Sequence, residues 1–365
     1  MSLSYAQFTT RALQWLQDTG ALTYDSTETG NAIENELKRL SGKRPLEIDV
    51  VFQVESRRGT DVTGTASSLT DLVKAQFLSA DATNEKVVHN TTDDTWAVIL
   101  TNSSTSVNTL SKDIMAANEN YEIYNKRCRN SKQIYIGDMP SEYRRTVISV
   151  EYPIGQEREF ELRDDVIELL VHDVAIFDSD STLTNINPVD VLVKFAVPNI
   201  LSQLTDLSGE LSAGASAGAT TLSADGLGST EIIEVGEQFT IENHRSVYII
   251  TTQVTTSGNA ATLTFYPPLE AASSDNDDIT FRKSTLTTYE EDLLERMVVS
   301  RSIQSDMMRF AKSGAPLVSN YQTIINNNPL LNSQLIEREL NALAHPRPSK
   351  SNLPKGLIYL RRYGN

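Results

Sequence analysis

The spacing of apolar side chains divides the chain into helical ends and a strand-rich middle. Near the N-terminus, Phe8, Ala12 and Trp15 recur at helical spacing, and a second helix is predicted over residues 28–40. From Leu46 onward the apolar period changes from helical spacing to strict alternation, which is typical of strands.

Alternation predicts several strands between residues 46 and 163. The stretch LEIDVVFQVES at 46–56 is rich in Val and Ile, and short strands separated by polar turns continue to about residue 136. Further strands are predicted at 144–152 and 157–163. The segment 165–177 is more continuously apolar and is compatible with either a strand or a helix.

Helical signals return near residue 187. Asn187 is a suitable cap and Pro188 suits the first helical position, so a helix is predicted that Pro198 kinks. The Gly/Ala/Ser-rich stretch SGELSAGASAGATT at 208–221 then predicts a linker, before a second β module at about 218–282.

The C-terminal third is predicted to be mainly helical. Thr288 and Glu291 form a capping-box pair in front of a long helical stripe that ends at Gly314 and Pro316. Further helices are predicted at 317–327 and 331–344.

The two β-rich stretches show the same order of elements. KVVHNTTDDTWAVILT, from residue 86, aligns with EQFTIENHRSVYIITT, from residue 237, and each gives a strand, a polar turn and an aromatic-led strand. Each continues with a hydroxyl-rich turn, which in the second stretch contains Ser257-Gly258-Asn259, then a TL strand and a short closing strand. The pattern is compatible with a structural repeat and also with two unrelated β insertions.

These elements together predict an α+β protein with a helical core. The core is built from the N-terminal and C-terminal helices, and it carries two inserted small antiparallel β-sandwich or barrel-like modules and an extended arm. The predicted organisation is N-terminal core helices at 1–48, a first β-rich insert at 49–150, an acidic core segment with strands and the Pro-kinked helix at 151–206, a second β module at 207–283, C-terminal core helices at 284–345 and a basic arm at 346–365.

Composition excludes several classes of protein. With 365 residues, of which 39% are hydrophobic and 22% charged, the chain has an ordinary folded composition. The single cysteine, Cys128, excludes an intrachain disulfide and a Cys-rich zinc site. No signal peptide is visible, and no apolar run reaches the ~18 residues of a membrane-spanning helix.

The net charge of −16 is concentrated in the middle of the chain. Residues 151–206 carry 12 acids and 3 bases, and residues 207–281 carry 10 acids and one base. Such a surface repels nucleic acid. It is compatible with simple solubility and with a surface that DNA passes without sticking.

One stretch matches a hydrolase motif. GASAG places Ser216 in a G-x-S-x-G pattern, with Asp225 and His244 downstream in the order of a triad. The motif lacks the apolar strand before it and the helix after it that expose such a serine, so a flexible linker is favoured. Labelling of Ser216 by a fluorophosphonate would support the hydrolase reading.

Other polar clusters are weaker still. His172 and Asp173 could be a base and its orienting group, but a structural histidine is favoured. The acidic runs at 178–180 and 275–278 lack the loop of an EF-hand. The sequence therefore predicts no catalytic residue, no metal site and no cofactor.

The C-terminal arm mixes basic and apolar side chains. Docking onto a partner protein is favoured over packing on its own domain and over contact with nucleic acid, because the GLIYLRRY segment supplies apolar anchors. The predicted docking residues are Arg347, Lys350, Lys355, Leu357, Tyr359, Arg361, Arg362 and Tyr363.

The layout resembles the head-to-tail adaptor (connector, or head-completion) proteins of tailed bacteriophages. The likeness lies in the N-terminal YAQFTTRALQWLQDTGAL and NAIENELKRL, the later TTYEEDLLERMVVSRSIQSDMMRFAKSGA and NYQTIINNNPLLNSQLIERELNAL, and the arm. The two β stretches look like small β modules that recur in phage virion proteins. Simple adaptors lack two large β inserts, which leaves open another neck or tail component.

The resemblance implies a non-enzymatic virion protein at the head-to-tail interface, assembled in the host cytoplasm. It implies a ring, often of twelve copies, between the portal protein and a tail or neck protein, with double-stranded DNA passing through the lumen without specific binding and no membrane contact. The acidic residues expected to face that lumen are Asp164, Asp165, Glu168, Asp178 and Asp180. The alternative is a neck, tail or capsid-surface protein whose β modules bind a receptor, a glycan or neighbouring subunits.

Overall fold

The fold is dominated by strands rather than by helices. The computed structural model describes residues 3–16, 18, 24–55, 57–139, 141, 146–171, 189–204, 206, 208–313 and 333–343. Strands account for 35% of the structure and helices for 23%. The prediction of a helical core with inserted β modules is therefore wrong, because the middle of the chain builds β cores of its own.

The strands, in chain order, are β1 Leu46–Val54, β2 Arg58–Thr60, β3 Ser68–Thr70, β4 Val87–Asn90, β5 Thr95–Ser104, β6 Val107–Leu110, β7 Asn120–Tyr124, β8 Gln133–Tyr135, β9 Val147–Glu151, β10 Glu157–Arg158, β11 Phe160–Arg163, β12 Val166–Leu169, β13 Val189–Val197, β14 Ser208–Leu211, β15 Thr221–Asp225, β16 Ile232–Ile233, β17 Gln238–Ile241, β18 Tyr248–Ile250, β19 Val254–Thr255, β20 Ala261–Tyr266 and β21 Asp278–Phe281. The helices are α1 Tyr5–Trp15, α2 Ser26–Lys43, α3 Ala80–Thr83, α4 Thr288–Ser313 and α5 Ser333–Leu343.

The helices of the two chain ends pack into one layer. α1, α2, α4 and α5 share a core that includes Phe8, Ile33, Leu294 and Leu340, all fully buried. The capping box of the long helix α4 lies one residue earlier than the sequence predicts. Thr287, not Thr288, is the cap, because its backbone N–H and hydroxyl both donate to the Glu290 carboxylate, at 2.8 and 2.7 Å.

Two further sheets form a central β body. One sheet has the order β1-β13-β9-β10 and the other has the order β11-β12-β8, and together they enclose one apolar core. β13 corrects the predicted Pro-kinked helix. Its Val191, Val193 and Phe195 are fully buried at alternate positions, and Pro198 simply follows the last strand residue.

The first β module spans β2 to β7 and forms a half-barrel. Its six strands run in the order β2-β7-β4-β5-β6-β3, with α3 packed against β5. The core beneath the sheet includes Leu69, Val88, Ile99 and Ile123. The sheet does not close, because β2 and β3 at its two edges form no ladder with each other.

The second β module is a closed barrel. Its strands run β14-β15-β20-β18-β17-β21, and β21 pairs back to β14. The predicted linker at 208–221 is therefore partly wrong, since β14 at its start pairs with both neighbours. The predicted turn at Ser257-Gly258-Asn259 is present, with φ of 60° at Gly258 and 70° at Asn259.

The half-barrel and the closed barrel have the same strand order. When strands are numbered within each module, and the small ribbon of β16 and β19 is left aside, both run first–sixth–third–fourth–fifth–second. Every neighbouring pair is antiparallel in both modules. The stretches aligned in the sequence thus supply equivalent strands, so the two modules are repeats in topology.

Candidate functional site: the open edge of the first β module

The open edge of the half-barrel forms a groove. The chain that follows β2 approaches the end of β3, where the Val62 N–H donates to the Thr70 carbonyl at 2.9 Å. Beyond that contact they leave a cavity of about 330 Å³. Its lining is mixed: Arg58, Gly59, Thr60, Val62, Asp71, Val73, Lys74, Thr91, Asn120, Tyr121 and Glu122.

The backbone of β2 turns some of its polar groups towards this groove. Ile123 N–H donates to the Arg57 carbonyl and Asp61 N–H donates to the Glu119 carbonyl, both at 2.8 Å. In an antiparallel pair the alternate residues, here Arg58 and Thr60, direct their backbone groups to the opposite edge. The Arg58 carbonyl there accepts from Lys74 Nζ at 2.8 Å.

A short loop beside the groove holds two large apolar side chains in solvent. Leu72 is 66% exposed and Val73 is 75% exposed. The buried Asp71 fixes the loop, because its Oδ1 accepts from the N–H groups of Val73 and Lys74 at 3.0 and 2.9 Å. We call Leu72 and Val73 the apolar tip.

The side chains that hold Asp71 are buried. Tyr121 donates its hydroxyl to Asp71 Oδ2 at 2.7 Å and accepts from Gln76 Nε2 at 2.8 Å. Burial, and then the Asp71 carboxylate, raise the pKa of Tyr121 well above its ordinary value. A side chain at Gly59 would place its Cβ 2.1 Å from Asp71 Oδ2, so glycine is required there.

A buried network of four charges joins this module to the central body. Arg57 Nη2 lies 2.9 Å from Glu55 Oε2 and 2.5 Å from Asp81 Oδ1, and Lys86 also pairs with Glu55. Burial alone would raise the pKa of Glu55, but Arg57 and Lys86 outweigh it and hold that pKa at about 2. The network carries no net charge, which is the condition for burying it.

The barrel has a different junction at the equivalent place. Ile99 N–H donates to the Lys86 carbonyl, and in the barrel Ile250 N–H donates to the Glu237 carbonyl, each at 2.9 Å. Glu237 Oε1 accepts from Ser202 Oγ at 3.0 Å, whereas the buried Oε2 has no partner among the described residues. Burial raises the pKa of Glu237 to about 7.

A cleft of about 490 Å³ lies where the two modules meet the central body. Lys126 on its wall pairs with Glu85 at 2.7 Å and with Asp138 at 3.4 Å. Gly218 of the barrel sits so close to α3 that an added Cβ would lie 2.9 Å from Ala80 Cβ. The ionic groups of this wall pair with one another across the junction, so we assign the cleft to the packing of the modules.

The structure brings together three of the acidic residues expected to face a lumen. Asp164 and Asp165 form the turn between β11 and β12, and Glu168 lies on β12. Arg163 Nη1 lies 3.4 Å from Glu168 and Arg163 Nη2 lies 2.9 Å from Glu161, which partly neutralises the hairpin. Asp178 and Asp180 fall outside the described residues.

The structure does not assemble the hydrolase-like residues. Ser216 lies before the first residue of β15, and Asp225 is the last residue of that strand. The two residues are therefore on opposite sides of a strand about 13 Å long. The His244 Nδ1 lies 2.5 Å from the Tyr248 hydroxyl. This contact gives His244 a structural partner, the Tyr248 hydroxyl, in place of the serine of a triad.

Several predicted features lie outside the described residues. They are His172 and Asp173, the helix predicted at 317–327, and the whole arm with its docking residues. Within the described ranges, no group of three or more His, Cys, Asp or Glu could hold a metal ion. Among the helices of the same part of the chain, none has both the length and the apolar character for a membrane crossing.

Sequence reasoning missed the apolar tip and the charged junction. Leu72 and Val73 lie in a short turn between predicted strands, so their apolar side chains suggest strand residues rather than an exposed tip. An available signal was the run Asp71-Leu72-Val73-Lys74, because Asp at the start of a turn commonly fixes it through its own side chain. The chain was also compared with known proteins: no family model, no curated protein and no solved structure matches it.

Proposed function

We propose that this chain is a non-enzymatic structural protein of a tailed-phage virion. It acts as a head-to-tail adaptor, forming a ring between the portal protein and the tail, and DNA passes through that ring. The observation that carries an assembly role is the apolar tip, where two adjacent large apolar side chains are held in water by a buried, hydrogen-bonded support.

The tip favours a protein contact because exposed apolar side chains do not stabilise the folded monomer. Single exposed apolar residues are ordinary on protein surfaces, but two neighbours on a fixed loop form a contiguous patch. Burying Leu72 and Val73 against another protein would gain about 1.5–3 kcal/mol for each side chain. The fixed loop also lowers the entropic cost of docking.

The charge of the chain supports the passage of DNA. The net charge of −16 disfavours lasting contact with phosphates, and the acidic hairpin at 161–168 remains exposed in part. The basic arm at 346–365 contains five bases and no acid, which suits docking onto the portal protein rather than lining the lumen.

Size-exclusion chromatography with light scattering tests the assembly role. The purified chain, alone and mixed with portal rings, is expected to elute as a closed oligomer or as a stable complex with the portal. A chain lacking residues 346–365 is expected to lose the portal complex. A protein that stays monomeric at every concentration, and beside its portal, would contradict the proposal.

A second function is favoured by the polar lining of the groove. Thr60, Thr91 and Asn120 beside the ring of Tyr121 are suitable hydrogen-bonding groups for a glycan. The protein would then be a capsid-surface, neck or tail protein that binds a receptor. Saturable glycan binding by the monomer, abolished by Asn120→Ala, would favour this function over the adaptor.

A further inference from the structure

A second exposed apolar patch lies on the barrel. Ile232, on β16, is 47% exposed, and Val235, two residues after the end of β16, is 51% exposed. Ile233 between them is 1% exposed and belongs to the barrel core, so Ile232 points outward. We call residues 231–235 the acidic ribbon, because Glu231 and Glu234 flank its apolar residues.

The tip and the ribbon differ from the other exposed apolar residues. Leu100, Ile154 and Leu170 stand singly, which needs no explanation. Among the exposed large apolar residues of the described chain, only Leu72 with Val73 and Ile232 with Val235 lie within three positions of each other.

The two patches carry opposite flanking charges. The tip is followed by Lys74, and the exposed Arg58 lines the same groove. The two acids of the groove, Asp71 and Glu122, accept from the hydroxyls of Tyr121 and Tyr124. The ribbon carries Glu231 and Glu234, and Glu234 Oε1 accepts from Gln253 Nε2 at 3.0 Å, which holds its carboxylate at the surface. Contact between two tips would bring like charges together, whereas contact between a tip and a ribbon pairs bases with acids.

We propose that the apolar tip of one copy docks on the acidic ribbon of a neighbouring copy. This inference rests on the proposed function, for which it names the contact between subunits. Because the two patches lie on different modules of one chain, the contact can repeat head-to-tail from one copy to the next. A heterologous contact of this kind closes into a ring when its rotation allows, as an adaptor requires.

Charge reversal with rescue tests the contact. Lys74→Glu and Glu234→Lys are each expected to weaken self-association about tenfold, and the double variant is expected to recover most of the loss. Sedimentation velocity measures the association. Ile154→Asp, at an exposed apolar residue away from both patches, is the matched control and is expected to change nothing.

Cysteine pairing gives an independent readout. Val73→Cys and Val235→Cys are prepared separately and mixed under mild oxidation, and a disulfide-linked heterodimer is expected only in the mixture. Native Cys128 is buried and burial raises its pKa to about 12, so it does not compete. A mixture of Val73→Cys with Ile154→Cys is the control.

The outcomes separate this inference from the proposed function. Assembly that survives all charge reversals, with no disulfide in the mixture, would overturn the tip-to-ribbon contact and leave the adaptor function standing. A wild-type chain that never associates would overturn both.

Discussion

The two β modules share one strand order but differ in how the buried charged groups are paired at their junctions with the central body. In the half-barrel, Lys86 belongs to a fully paired buried network with Glu55, Arg57 and Asp81. In the barrel, the equivalent Glu237 keeps one buried oxygen without a partner among the described residues. The barrel closes its sheet, and the half-barrel leaves an edge open.

The difference shows that topology does not determine where stability resides. The barrel draws on a continuous apolar core that includes Phe239, Phe265 and Phe281. The half-barrel lacks one ladder and is fixed to the body by charges that must all be present together. Its open edge holds the groove and the apolar tip, on which the proposed docking role rests.

The largest expected effect is the loss of one charge from the buried network. Arg57→Met leaves Glu55 and Asp81 buried with only Lys86, so the free energy of unfolding should fall by about 3–5 kcal/mol. Urea denaturation measures the change. Arg245→Met, at an exposed arginine of the barrel, is the control and should stay within about 0.5 kcal/mol of wild type.

An Arg57→Met protein as stable as wild type would contradict the role given to the network. Hydrogen exchange resolved by segment sharpens the result, because protection should be lost first across β2 to β7 and kept across the barrel.

The two junctions should respond to pH in opposite directions. The pKa of Glu237 rises from an ordinary 4.5 to about 7 on folding, so the native state holds a proton that the unfolded state releases. The free energy of unfolding should therefore fall as the pH rises from about 4.5 to about 7, by about 3 kcal/mol from this group. Glu237→Gln should abolish that fall.

Glu55 gives the opposite slope at lower pH. Its pKa drops from 4.5 to about 2 on folding, so its contribution is complete above about pH 4.5 and is lost as the pH falls towards 2. Hydrogen exchange at pH 3 and pH 8 separates the two groups. The same pH profile for Glu237→Gln and wild type above pH 4.5 would exclude Glu237 as the titrating group.

A smaller effect is expected from glycine replacement at the closing ladder. A Cβ at Gly209 on β14 would lie 2.6 Å from Leu227 Cδ2 and 2.7 Å from the Asp225 carbonyl. Gly209→Ala should therefore destabilise the barrel by about 1–3 kcal/mol. Thr60→Ala, at the open edge of the half-barrel, should change thermal stability far less, and equal losses would contradict the contrast between the edges.

The smallest effect on folding is expected at the tip itself. Val73→Ser removes an exposed side chain, so the free energy of unfolding should change by less than about 0.5 kcal/mol. Urea denaturation under conditions where the chain is monomeric measures this. A large loss would show that the tip serves the fold and not a partner.

The sequence predicts an element correctly where its apolar residues clearly mark one buried face. The alternation at 46–56 gives β1, the apolar stripe near 331–344 gives α5, and the alignment of the β stretches matches strands β4 to β7 with those of the barrel. The helix predicted at 187–204 is wrong, because the alternation of Val191, Val193 and Phe195 forms β13 in spite of the helix-start pattern of Asn187 and Pro188.

The remaining features depend on contacts between residues distant in sequence. Nothing local shows that Arg57 is buried, because its partner Asp81 lies 24 positions away. The closure of the barrel depends on β14 meeting β21, and the opening of the half-barrel depends on an absent ladder. The apolar tip is equally hard to predict, because the loop of Leu72 and Val73 is fixed by Asp71, and Asp71 is held by Tyr121, 50 positions away.

Negative-stain electron microscopy of the purified chain reveals whether its copies assemble into a ring. Closed rings with a central hole are expected for wild type, and Leu72→Asp is expected to abolish them because it removes the apolar contact between copies. Isolated particles of a single copy, at concentrations where a virion protein would assemble, would contradict the claim that this chain builds a ring.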